Sequence, residues 1–99
     1  MSPRPRKPRH CRHRVAGRVF KPRGVPLSQL RQVPLAPDEL EALQLCDGEG
    51  LSQEEAGARM GVSRGTVQRT VKAARRKIIE TLTAGDAALV LCDESAEKQ

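Results

Sequence analysis

Arg64, Gln68, Arg69 and Lys72 are the side chains in this 99-residue sequence whose types and spacing suit a definite chemistry. On a helix, residues three and four apart share a face, so these residues would point the same way. An arginine fork matches two acceptors on a guanine edge, and a glutamine amide matches the donor and acceptor of adenine. Lysine supplies a point charge suited to phosphate. Ser63, Thr66 and Lys72 are placed for phosphate contacts, with Arg75 and Arg76 further along. Gly65 leaves room for close approach of the helix to a partner. Phosphate contacts would fix position, and Arg64, Gln68 and Arg69 would read sequence. The chemistry is hydrogen bonding and charge neutralisation, with no bond made or broken.

Other chemistries have weaker support. His10, Cys11 and His13 invite zinc, but a zinc site needs a complete ligand set at defined spacing. The missing ligand would be Cys46 or Cys92, and no spacing supports either, so no metal is expected. Three cysteines without a CxxC pair suggest free thiols and a reducing compartment. Asp38, Glu39, Glu41, Glu54 and Glu55 fall in first helical turns or on solvated faces, where the helix dipole accounts for them. No histidine follows His13, and no glycine-rich phosphate loop is present. The expectation is a protein that is not an enzyme and carries no cofactor.

Charge points the same way. The formal net charge is +6, and no acidic residue precedes Asp38. A basic segment of that kind favours a polyanion. A membrane surface is disfavoured, because the basic arm offers almost no large apolar residue to insert. The N-terminus has no apolar stretch of the secretory type and no run reaches spanning length, so the expected location is the cytoplasm. Phe20 is the only aromatic residue. A core of Leu, Val, Ile, Ala and Met suits small helices, and one ring is a poor platform for stacking single-stranded RNA.

The elements that must position the basic residues follow from caps and breakers. Residues 1–14 read as a disordered basic arm, 15–92 as one domain and 93–99 as a polar tail. Val15 to Lys21 can form a short strand, ended by Pro22 and Gly24. Val25 to Val33 can hold one helical turn after Pro26, using Leu27 and Leu30. A first helix starts near Pro37, which suits a first helical position. Leu40, Leu43 and Cys46 fall on its apolar face with Leu45 at the margin, and Gly48 and Gly50 stop it. Ser52 and Glu55 make a capping box. The helix they open runs to Met60, with Ala56 and Met60 inward. Gly57 costs about 1 kcal/mol in a helix interior, which a close approach of the neighbouring helix would justify. Gly61 permits positive φ, Val62 turns inward, and Ser63 caps a third helix from Arg64 to Thr83. Val67, Val71, Ala74 and Ile78 lie on one side of that helix, with Leu82 near the edge. Gly65, Arg69, Lys72 and Arg76 lie on the other. Gly85 ends it, and Ala87 to Cys92 reads as a short apolar strand or a helix remnant, for which Val15 to Phe20 would be an edge partner.

Residues 51–78 therefore form a helix-turn-helix, in which one helix enters the major groove. The fold class is mainly α, a small helical domain of winged-helix-like or sigma region 4-like type, with room for a short two-stranded terminal β element. The bland alternative is a helical hairpin with a solvated basic face.

Val33 to Ile78 resembles the fourth, promoter-reading region of primary sigma factors, chiefly through GVSRGTVQR (Gly61 to Arg69). A wider resemblance combines PRPRK (Pro3 to Lys7), FKPRGVPL (Phe20 to Leu27), LAPDELEALQL (Leu35 to Leu45) and QEEAGARMGVSR (Gln53 to Arg64). These blocks occur in order in the domain of unknown function 134 family, small bacterial and archaeal proteins described as predicted DNA-binding. Departures are Ala36, where the family often has a hydroxyl residue, a single cysteine in the basic arm, and Thr70, where sigma-like motifs carry a larger apolar residue. The resemblance implies sequence-specific binding of double-stranded DNA and transcriptional regulation. The alternatives are a structured-RNA or ribosome-associated basic protein, and a module that docks on RNA polymerase or a partner regulator. A homodimer through the terminal strands would enlarge the small surface that one such motif buries.

Overall fold

The computed structural model describes residues 18–92. The basic arm with His10, Cys11 and His13, the start of the strand expected from Val15, and the tail lie outside the described residues. Strand β1 (Val19–Phe20) leads through a 3-10 turn (Leu27–Gln29) to strand β2 (Arg31–Leu35). Three helices follow: α1 (Pro37–Leu43), α2 (Gln53–Met60) and α3 (Arg64–Ala84). Strand β3 (Ala87–Leu91) closes the fold. The architecture is mainly α, as expected.

Each helix begins and ends for a local reason. Ala36 has no side-chain acceptor, so α1 keeps only half of a capping box: the Ala36 N–H donates to Glu39 Oε1 at 2.9 Å. In α2 both halves form. The Glu55 N–H donates to Ser52 Oγ at 3.0 Å, and the Ser52 N–H donates to Glu55 Oε1 at 2.8 Å. Ser63 caps α3 by accepting the Thr66 N–H at 3.1 Å. Gly61 and Gly85 end α2 and α3 at φ of 75° and 83°, a left-handed conformation that costs glycine little.

After Leu43 the first helix loosens into a π-helical turn, Gln44–Gly48, in which the Glu49 N–H reaches back to Gln44 O at 2.8 Å. A wider turn changes the phase of the side chains that follow. Leu45 is therefore buried and Cys46 only half-buried, the reverse of what regular helical spacing predicts.

The sheet has three strands in the order β1-β3-β2, one more than expected. β1 runs antiparallel to β3, with Val19 opposite Val90 and Phe20 opposite Leu89, so the expected pairing of the two termini is present. β2 is the strand that sequence reading missed. It runs parallel to β3 with Val33 opposite Leu89, and all three helices form the crossover that parallel pairing requires. β3 is thus the central strand, and every one of its residues is buried. Both its edges are filled, so β3 itself offers no edge to a second copy. The outer edge of β2 is blunted at Pro34. Arg31 N–H and Leu35 O face β3, which turns Pro34 outward, and the Pro34 carbonyl accepts from Lys77 Nζ at 2.8 Å.

Two apolar clusters share α3. Val67 and Val71 pack with Ala42, Leu45 and Ala56, flanked by Met60 and Leu51. Ala74 packs with Val33, Leu35, Ala87, Leu89 and Leu91, flanked by Ile78 and Leu40. Leu43 touches both clusters. One continuous helix therefore fixes the α2–α3 pair against the sheet. Val62 is 38% exposed and does not turn inward as expected, and Leu82 at 74% lies outside the apolar face. Cys46 is a free thiol as expected, whereas Cys92 is disulfide-bonded, which corrects the expectation of three free thiols.

Candidate nucleic-acid interface

The turn between α2 and α3 folds directly onto Gly57. The Val62 N–H donates to Gly57 O at 2.9 Å. A Cβ at position 57 would stand 2.7 Å from Val62 O, closer than a carbon tolerates. The close approach inferred from this glycine is real, but it comes from turn backbone and not from the neighbouring helix. Its effect is to seat the turn and the Ser63 N-cap of α3 directly on α2.

Arg64, Gln68, Arg69, Lys72 and Arg76 are all exposed. Arg69, Lys72 and Arg76 lie opposite Val67, Val71 and Ala74 on α3, and Arg64 and Gln68 lie on its flank. From Arg64 to Arg76 the lane spans about 18 Å at the usual helical rise. Among the described residues, Arg64, Arg69, Lys72 and Arg76 form no ion pair. The acids are elsewhere. Asp38 and Glu39 lie in the first turn of α1, and Glu54 and Glu55 in that of α2, whereas the first turn of α3 has no acidic residue. The positive end of its dipole therefore meets the Ser63 hydroxyl cap but no acidic side chain of its own first turn.

Ser63 and Thr66 are linked at this end, their hydroxyl oxygens 3.0 Å apart. Arg69 Nη2 donates to Thr66 Oγ1 at 3.4 Å. Gly65 lies beneath the same guanidinium, since a Cβ there would stand 3.5 Å from Arg69 Nη1.

Arg75 does not join the lane. Its Nε and Nη2 donate to the two carboxylate oxygens of Asp47, at 3.1 and 2.7 Å. Hydrogen bonding to Arg75 holds the Asp47 carboxyl below its ordinary range, and the same bond raises the guanidinium of Arg75. Sequence reasoning missed Asp47 because it sits on the π-helical turn, 28 residues from its partner. Lys77 is also engaged, with Glu39 Oε1 at 2.7 Å and the Pro34 carbonyl. Among the described residues, no group of His, Cys, Asp and Glu is arranged to hold a metal ion.

Residues 1–97 match the family described as protein of unknown function DUF134. The chain belongs to that family. A UPF0251 protein of Vibrio parahaemolyticus is 49% identical over 92 residues, covering 93% of this chain and 96% of the relative. A UPF0251 protein of Shewanella sediminis is 45% identical over 95 residues, covering 96% and 98%. One from Methanosarcina acetivorans is 48% identical over 84 residues, covering 85% and 75%. The DUF134 match includes both the basic arm and the α2–α3 unit. No solved structure matches this chain. Among the described residues, no helix is long and apolar enough to cross a membrane.

Proposed function

We propose that this protein binds double-stranded DNA in a sequence-dependent manner through α3 and acts in the cytoplasm as a regulator of transcription. The observation that carries this reading is the lane of Arg64, Arg69, Lys72 and Arg76, unpaired among the described residues, on the exposed face of the second helix of a helix-turn-helix. A structural role would pair those cations with the nearby acids, as happens to Arg59 with Glu49 and to Arg75 with Asp47. Leaving them unpaired keeps them available for phosphates, whose neutralisation releases counterions. Arg64, Gln68 and Arg69 belong to the first turns of α3, the part of a recognition helix that meets base edges. Lys72 and Arg76 lie further along and hold the helix to the backbone. The basic arm adds charge for the same partner.

The test is selection of bound duplexes from a random pool, followed by titration of the enriched duplex, a scrambled duplex and a structured RNA at one salt concentration. Enrichment of a motif, with the scrambled duplex and the RNA bound more weakly, is the expected result. A palindromic motif would add a homodimer. Preference for the structured RNA would overturn the reading in favour of an RNA-associated protein. Binding to neither, with capture of RNA polymerase, would make the chain a docking module.

A further inference from the structure

We propose that Thr66 is a positioning residue for Arg69, and that the pair together with Gly65 selects guanine at one position of the bound site. This rests on the DNA-binding reading above. Spacing alone makes Thr66 a phosphate contact; the geometry gives it another task.

The direction of the Arg69 hydrogen bond follows from what each group can do. A guanidinium has donors only, so Thr66 Oγ1 accepts from Arg69 Nη2. The Thr66 and Ser63 hydroxyl oxygens lie 3.0 Å apart and either can donate to the other; with two lone pairs, Thr66 Oγ1 accepts from Arg69 in both arrangements. Ser63 Oγ already accepts the Thr66 backbone N–H. Thr66 works inward, on Arg69.

Arginine is long, and its head would otherwise sample many positions on an exposed face. Thr66, three residues earlier and on the same face, draws the guanidinium back along the helix toward its N-terminus. Gly65 lies against this head, since even a Cβ there would stand in van der Waals contact with Nη1 at 3.5 Å. With Nη2 steered by Thr66, the planar head is oriented before DNA arrives. Its remaining donors can then meet the two acceptors of a guanine edge.

The test uses the full chain and the duplex enriched by the wild-type protein. Discrimination is the ratio of affinities for that duplex and for one in which the preferred guanine is replaced by 7-deazaguanine, which lacks one of the two acceptors. Arg69→Ala should lower this ratio roughly ten- to a hundred-fold. Thr66→Val keeps the shape and removes the hydroxyl, and should lower it roughly three- to ten-fold while affinity for a scrambled duplex stays unchanged. Thr66→Ser should restore it. Circular dichroism and melting temperature establish that each variant is folded.

A wild-type ratio intact in Thr66→Val would overturn the positioning role and leave DNA binding standing. Equal weakening on all duplexes would return Thr66 to the phosphate contacts, and failure of Thr66→Ser to rescue would exclude the hydroxyl as the cause. If the wild-type chain enriches no duplex at all, the DNA-binding reading itself fails and takes this inference with it.

Discussion

The two halves of α3 carry similar charge and use it differently. In the first half, Arg64, Arg69 and Lys72 project from a helix held by the Val67–Val71 cluster, and none has a carboxylate partner among the described residues. In the second half, Arg75 binds Asp47, Lys77 binds Glu39, and Glu80 binds Arg31. Arg76 alone continues the unpaired lane into this half. A stripe of Lys and Arg on a helical wheel is therefore not an interface in itself. The cations that face other elements tie α3 to β2, to the start of α1 and to the π-helical turn. The cations that face solvent are the ones a polyanion can reach.

Substitutions can break or sharpen this contrast. Gly57→Ala should have the largest effect. Its Cβ meets turn backbone that cannot swing aside, so we expect a loss of about 2 kcal/mol in denaturant unfolding despite the better helix propensity of alanine. Next comes Lys77→Met. Lys77 Nζ binds both Glu39 and the Pro34 carbonyl, and the two side chains are only 29% and 12% exposed. Stability should fall by about 1 to 2 kcal/mol, with DNA affinity at a stability-permissive temperature unchanged. Loss of DNA affinity there would place the interface on the wrong half of α3.

Lys72→Ala should do the reverse. Thermal unfolding should be unchanged, affinity should fall alike on every duplex, and the slope of log affinity against log salt should flatten by about 1. The smallest effects belong to the Asp47–Arg75 pair. Arg75→Ala should leave the salt slope as it is, whereas Asp47→Asn should steepen it by freeing a cation beside the lane. This pair also sets a pH dependence. The folded state lowers the Asp47 pKa, so its contribution to stability is complete above the unfolded carboxylate range and is lost as acid takes the pH through the lowered value. Because both side chains are exposed, the acid limb should be shallow, and Arg75→Ala should remove it. A salt slope that flattens for Arg75→Ala as much as for Lys72→Ala would erase the distinction between the two halves.

What could be seen in the sequence was what local chemistry controls. Ser52 with Glu55, Ser63, Gly61 and Gly85 act on their own neighbours, and each cap or terminator lies where its residues call for it. Gly57 signalled a close approach, though not which atom approaches. The hidden features depend on distant partners. β2 contains Pro34 and begins with polar Arg31 and Gln32, so nothing in its own residues announces a strand. It exists because β3, more than fifty residues later, offers an edge. The unbroken apolar run Ala87 to Leu91 did hold a clue, since a strand buried on both faces loses its alternation. The π-helical turn gives no local sign, and it moves Leu45 inward and brings Asp47 to Arg75. Of the candidate site, the outward lane was legible from periodicity. The engagement of Arg75 and the Ser63–Thr66–Arg69 chain required the folded arrangement.

The central claim is that the unpaired first half of α3 meets DNA while the paired second half holds it in place. Amide chemical shifts of the ¹⁵N-labelled full chain, followed while the duplex enriched from the random pool is added, test it most directly. The account predicts that the largest changes fall on residues 63–72 and continue to Arg76, with β3 and the Lys77–Glu39 contact nearly silent. Changes centred on the sheet or on α1, with the start of α3 unaffected, would contradict it.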